Sequence, residues 1–228
     1  MPVALLHPAP ADAPPGVAGV VRTGDETIAW WLERAALGGE AEAFDALLVH
    51  EEAPRLLMAW SGGLGDGLFD RSPRTWMTPG RDALSDACER LSPLLEGAGR
   101  RLLLRTHCRH VLSDAPACAA FAKARAGGPL AVALDPASML ESSMLGGVED
   151  HLERLFALAA PHAEAIVAMQ VVPPSGADPD ALPRAARTGV FDSARYGELL
   201  RSRPDQLTIV AGPDPAGLAA DLGLARPG

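Results

Sequence analysis

The sequence predicts an α/β protein in which βαβ units wrap around a parallel sheet. From about residue 55 onward, short apolar runs alternate with helix-length stretches, the rhythm of strand, crossover helix and next strand. The connecting stretches carry helix-start signals: Thr78-Pro79 opens one, and Glu149 and Asp150 sit where another needs negative charge. The 228 residues are 48% hydrophobic, a globular composition, with no apolar run near the ~18 residues that span a bilayer. One domain over 1–228 is expected, with an atypical part at 1–54, recognisable units at 55–212 and a C-terminal tail at 213–228.

In the first part VAGVV (17–21) reads as a strand and ETIAWWLERAAL (26–37) as a helix. EAFDALLVHEE (42–52) fits both alternation and helical spacing. Only Glu51 to Pro54 separate it from the next apolar run, which leaves no room for a crossover between parallel strands, so a helix over 40–52 is expected. Strands follow at RLLMAW (55–60), RLLLRT (101–106), LAVALD (130–135), AEAIVAMQVV (163–172) and QLTIVAG (206–212). Helices are expected at 79–97, 115–126, 148–160 and 192–203. Two long loops rich in proline and glycine, 61–80 and 173–188, lie where such folds meet ligands.

Charge and cysteine usage exclude some functions. Twenty Lys and Arg against 29 Asp and Glu leave a net charge of −9, a field that repels nucleic-acid phosphates, so neither a nucleic acid nor a membrane is an expected partner. Lys123 is the single lysine, which narrows any Schiff-base chemistry. Cys88, Cys108 and Cys118 form no CxxC pair, and the opening MPVALLHP lacks a basic region before its short apolar run, so a reducing, cytoplasmic location is expected.

Strand alternation singles out one constellation. LAVALD places Ala131, Ala133 and Asp135 on one face, and RLLLRTH groups Leu103, Arg105 and His107. If those faces point into a closed barrel, Arg105 and Asp135 meet at the C-terminal rim on adjacent strands, where barrel active sites are built. The pair then either grips a ligand or closes the barrel top as a structural ion pair.

The order AWSGGLGDG, long helix, GAGRRLLLRTH, GPLAVALDPASM, Asp150-His151-Leu152, Gly189-Val190-Phe191-Asp192 and LTIVAG resembles the xylose isomerase-like TIM barrels, over about residues 55–212. That group holds sugar-phosphate isomerases and epimerases and an endonuclease branch. The resemblance implies a TIM-barrel-like parallel (β/α) barrel and a divalent metal held by strand-end carboxylates and histidines. Position by position the ligand set is lost: Arg105 stands for a glutamate, Ser138 for a histidine, Met169 or Gln170 for a histidine and Ala211 for a glutamate, with Asp135 alone retained. One carboxylate does not hold a hard divalent ion. No metal and no cofactor is therefore expected. Three βα units of ~30 residues do not fit into 54, so the N-terminal half should be incomplete or irregular, with one or two strands, and an open rim would favour a homodimer.

Other patterns carry less. His107-Cys108-Arg109-His110 has soft-metal ligands but no second pair at finger spacing. GGLGDG lacks the Lys-Ser/Thr of a phosphate loop and reads as a turn or lid. Trp30 and Trp31 lie in the expected helix with at least one in the core, Trp60 ends a strand as a packing residue, and Trp76 sits in the long loop on the ligand-facing side, where an aromatic face stacks on a sugar or closes a lid. The resulting expectation is a metal-independent isomerase acting on a small sugar or sugar acid. Asp135, Arg105 and His107 would be its catalytic residues, with Trp60, Trp76, Ser138 and Gln170 around a carbohydrate-like ligand. The alternative is a catalytically inactive barrel kept as a ligand-binding or protein-interaction module.

Overall fold

A computed structural model describes residues 1–37, 41–175 and 180–224. The chain opens with three strands in succession, β1 (Val3–Pro8), β2 (Val17–Thr23) and β3 (Glu26–Leu37). Thereafter strands alternate with helices: α1 (Ala41–Leu48), β4 (Leu56–Gly62), α2 (Thr78–Gly97), β5 (Arg101–Arg105), α3 (Ala115–Ala124), β6 (Leu130–Leu134) and α4 (Val148–Leu158). The remainder is β7 (Ala165–Ala168), β8 (Gln170–Val172), β9 (Arg184–Ala186), α5 (Ser193–Arg201), β10 (Leu207–Val210) and α6 (Pro215–Asp221).

Eight of these strands form a closed barrel in the order β1-β10-β7-β6-β5-β4-β3-β2. β2 pairs antiparallel with both neighbours, and every other pairing in the ring is parallel. The N-terminal half is thus irregular in direction, and three strands complete the circle. There is no open rim, and the ground for expecting a homodimer across one falls away.

Residues 26–37 form a strand where the helical spacing predicted a helix. Both faces of β3 are buried, Trp30 and Leu32 under the outer layer and Ala29 and Trp31 inside the barrel, so its apolar residues cannot alternate with polar ones as on a half-exposed strand. A register shift between Trp31 and Ala35 further blurs the period of two. Three strands fit into the N-terminal part because β1, β2 and β3 follow one another without a helical crossover. Thr23 and Glu26 pair across the two-residue Gly24-Asp25 turn, with Gly24 at φ +57°, so a hairpin supplies a strand in a fraction of the length.

The five strands expected from residue 55 onward all form, as do the helices α2, α3, α4 and α5, and the 40–52 helix is realised as α1. The 163–172 run breaks at Met169. β7 stays in the barrel while β8 leaves it to pair antiparallel with β9. The tail adds α6, capped by Asp214, whose side chain accepts from the Gly217 amide at 3.0 Å. Among the described residues no helix is long and apolar enough to cross a membrane.

Two apolar layers hold the ring. The helices cover the outer strand faces, burying Leu57, Leu102, Leu104, Val132, Leu134 and Ile166. The barrel interior is filled by Ala4, Ala29, Ala35, Ala133, Ala165 and Ala211 beside Met58, Leu103 and Val167. Those alanines leave room for Trp31, Trp60 and the Arg105 side chain, so small and large residues share one close-packed interior.

Candidate functional site at the barrel mouth

Asp135 follows the last residue of β6, and Arg105 ends β5, the neighbouring parallel strand. Their alternation with Leu103, Ala131 and Ala133 turns both side chains inward at the C-terminal mouth. Arg105 Nε donates to Asp135 Oδ2 at 2.7 Å, and Nη2 lies 2.6 Å from the same oxygen. Ser138 completes the carboxylate shell, its amide donating to Oδ1 at 3.0 Å and its hydroxyl to Oδ2 at 2.6 Å. The Asp135 amide donates to Thr106 Oγ1 at 2.9 Å. Asp135 has no solvent exposure and Arg105 only 5%.

Aromatic rings enclose the guanidinium. Its carbon sits 4.4 Å from the ring centroid of Trp60 and 4.9 Å from that of Trp31, and Nη2 reaches Met169 Sδ at 4.0 Å. A weakly hydrated, planar cation gains from such faces what it loses in water. Above Trp60 lie Phe69, His107 and His110, with the two imidazole centroids 4.8 Å apart.

The loop after β4 is fastened down over this cluster. His110 Nε2 donates to the Leu68 carbonyl at 2.9 Å, Arg109 Nη1 to the Phe69 carbonyl at 3.0 Å, and the Leu64 amide to Thr75 Oγ1 at 2.9 Å. The Gly67 amide donates to Asp70 Oδ2 at 2.7 Å, and a Cβ at Gly65 would come within 2.8 Å of the Asp70 side chain. GGLGDG is therefore a compact turn held to Asp70, three residues beyond it. Arg71 reaches Glu141 at 2.7 Å and Asp180 at 3.0 Å, tying the same loop to the far side of the mouth.

The histidines are kept neutral. Burial first, then the neighbouring His110, Arg105 and Arg109, push His107 down to about 2. Burial pulls His110 down to about 4 against the opposing pull of the Leu68 carbonyl. His107 Nδ1 accepts the Arg109 amide at 3.1 Å, which assigns its proton to Nε2. Burial also pushes the Cys108 thiol up to about 11, an unreactive state.

Of the residues singled out in the sequence, Arg105, Asp135, Ser138 and Trp60 come together. His107 stacks nearby, yet the side-chain bonds of Asp135 go to Arg105 and Ser138, so the expected His–Asp proton relay is not formed. Gln170 points elsewhere: its Nε2 donates to the Phe191 carbonyl at 2.8 Å and its Oε1 accepts the Phe191 amide at 3.2 Å, pinning the segment before α5. Trp76 lines a groove between α2 and α3 on the outer wall and neither of the clefts at the mouth. The place of Trp31 against Arg105, and that of Phe69 above Trp60, have no signal in the pattern. Trp31 was hidden by the helical reading of β3, and Phe69 by a loop whose glycines say nothing about where its aromatic lands.

Two clefts open at the mouth, about 440 Å³ lined by Glu33, Arg34, Phe44 and Asp66 among others, and about 420 Å³ lined by Asp70, Arg71, Arg109 and Asp180 among others. Neither is lined by Arg105, Asp135 or His107.

No protein-family profile matches the chain, and no curated protein sequence does. Solved structures do. A 3-keto-D-glucoside 4-epimerase, YcjR, from E. coli superposes with a TM-score of 0.56 at 16% identity, over 88% of this chain and 79% of that one. The fold is that of the xylose isomerase-like barrels. The probable 3-DHS dehydratase AsbF from Bacillus anthracis gives 0.56 at 10% identity, over 86% and 73%. A xylose isomerase-like TIM barrel protein from Mycobacterium smegmatis, solved in complex with magnesium, gives 0.52 at 12% identity, over 80% and 65%.

The metal usual in xylose isomerase-like barrels does not fit the residues found here. Arg105 fills the centre of the mouth with a fixed positive charge, Asp135 has its oxygens engaged by Arg105 and Ser138, and Ala211 offers no donor. Among the described residues no group of three His, Cys, Asp or Glu is gathered to hold an ion, the His107-Cys108-Arg109-His110 segment included.

Proposed function

We propose that this protein is a xylose isomerase-like barrel without turnover at the family position, kept as a binding module. One observation carries the reading: Asp135, the retained strand-end carboxylate, is fully buried with both oxygens engaged by Arg105 and Ser138. A general base needs a lone pair that a substrate proton can reach, and a nucleophile needs an approach. The Trp31, Trp60 and Phe69 rings and the pinned 61–80 loop supply neither. The three buried free cysteines fit a reducing, cytoplasmic setting.

A second reading is a metal-independent sugar or sugar-acid isomerase that uses Arg105 and Asp135 after the 61–80 loop lifts. What favours it is the rim position of an Arg–Asp pair in the fold that YcjR also has. A coupled assay of keto sugars, sugar acids and sugar phosphates separates the two, run beside a thermal-shift screen of the same compounds. The binding-module reading expects no turnover above background. Turnover that Asp135→Asn abolishes, while the variant stays folded, overturns it.

A further inference from the structure

We propose a second ligand site on the outer wall of the barrel: the groove between α2 and α3 takes a small carboxylate with an apolar aryl or acyl body. The proposal stands whether or not the mouth has turnover. The groove encloses about 470 Å³, within the range of small-molecule sites. Its floor and walls are Leu84, Val111, Leu112, Ala117, Ala120 and Phe121. Trp76 stands at its edge with 37% exposure, and the adjoining Met77 is 60% exposed. A half-exposed indole beside an apolar cleft is unusual on a chain whose other tryptophans, Trp30, Trp31 and Trp60, are buried.

Charge selects the ligand. Arg81, from the first turn of α2, and Arg125, at the C-terminal end of α3, border the groove. Among the described residues neither guanidinium has a hydrogen-bond or ion-pair partner, whereas Arg71, Arg90, Arg101, Arg105, Arg187 and Arg195 all have carboxylate partners. The one carboxylate lining the groove, Asp114, is committed to the α3 N-cap, where it accepts the Ala117 amide at 2.7 Å. Two unpaired cations over an apolar floor, on a chain of net charge −9, complement an apolar anion. The indole face and Phe121 take its body.

The probe is 2-naphthoate, with its uncharged amide as the isostere, read by quenching of Trp76 fluorescence and by calorimetry. Saturable binding of naphthoate at least tenfold tighter than the amide is expected, the effect of one charged hydrogen bond. Arg81→Gln with Arg125→Gln should erase the preference, Ala120→Phe should fill the groove and abolish binding of both, and Trp76→Phe should remove the quench while calorimetry still shows heat. All four positions are at the surface or half-buried, and retention of the parent melting temperature verifies folding. Equal affinity for acid and amide, no saturable binding, or binding that Ala120→Phe leaves unchanged would each overturn the proposal. Concentration-dependent dimers in sedimentation that Trp76→Ala abolishes would overturn it too, assigning the groove to a second copy of the chain.

Discussion

Arg105 and Asp135 lie side by side on adjacent parallel strands, with Nη2 and Oδ2 2.6 Å apart in an interior nearly closed to solvent. Two charges withdrawn from water survive only because each meets the other and neutral groups finish the shell, Ser138 on the acid and the indole faces on the base. Asp135→Ala leaves the guanidinium buried and unpaired, and chemical denaturation should show a loss of about 3 kcal/mol. Arg105→Met combined with Asp135→Leu should recover most of it, because two apolar groups of similar volume need no solvation. A double variant as unstable as the single one would mean that the pair does more than close the mouth.

Acid should loosen the mouth before it unfolds the outer layer. The folded values of His107 and His110, about 2 and about 4, lie below the ordinary imidazole value, so the unfolded chain takes up protons first. Their contribution is complete above about pH 6.5 and is lost as pH falls toward the folded values, at about 1.4 kcal/mol per pH unit per histidine. Urea midpoints measured from pH 7 to pH 4.5 should decline, and His110→Gln should flatten the slope. An unchanged slope in that variant would show that His110 is not the group responsible.

Divalent ions should leave the melting temperature where it is. With Arg105 at the centre of the rim and Ser138 and Ala211 in place of donors, Mn, Mg and Zn at millimolar concentration have no set of ligands to complete. Differential scanning fluorimetry with and without chelator checks this. A shift of several degrees that Asp135→Asn removes would restore a metal to the mouth.

Gly62 ends β4 at φ +85°, and a Cβ there would stand 2.5 Å from the Leu37 carbonyl oxygen and 2.8 Å from the Ala35 side chain. Gly62→Ala should therefore cost about 2 kcal/mol or more, since backbone strain and a backbone clash coincide. Gly97→Ala, with nothing within 4 Å at the end of α2, is the control and should be neutral or slightly stabilising. Thermal unfolding of the two side by side gives the comparison.

Where a strand was followed by a helix, the sequence was readable. LAVALD and RLLLRTH carry enough alternation to place Arg105 and Asp135 at one rim, and Thr78-Pro79 marks the start of α2 to within one residue, the cap position falling on Met77. The N-terminal part was not readable in the same way, because β3 buries both faces and its apolar positions fit either period. The signal that resolves it is Gly24-Asp25, two residues between apolar runs, which asks for a hairpin and not a crossover. The roles of Gln170 and Trp76 were beyond the pattern. Whether a strand-end amide faces a ligand or clasps Phe191, and which wall a loop indole covers, depends on loop paths that local spacing does not encode.

Val3 pairs with Thr208, about 200 residues away, while Thr23 pairs with Glu26 across a two-residue turn. That contrast sets an order of assembly. The β1–β2–β3 meander needs only local contacts and can form while the rest of the chain is still unstructured, whereas the seam between β1 and β10 waits for the longest loop closure in the molecule. Until β10 arrives, β1 presents an unpaired edge whose strand is already shaped to receive another, the exposure that leads nascent barrels to aggregate or exchange strands. Pulse-labelled hydrogen exchange during refolding should find the Val20 and Val21 amides protected early, and the Thr208 amide, bonded to the Pro2 carbonyl, protected last.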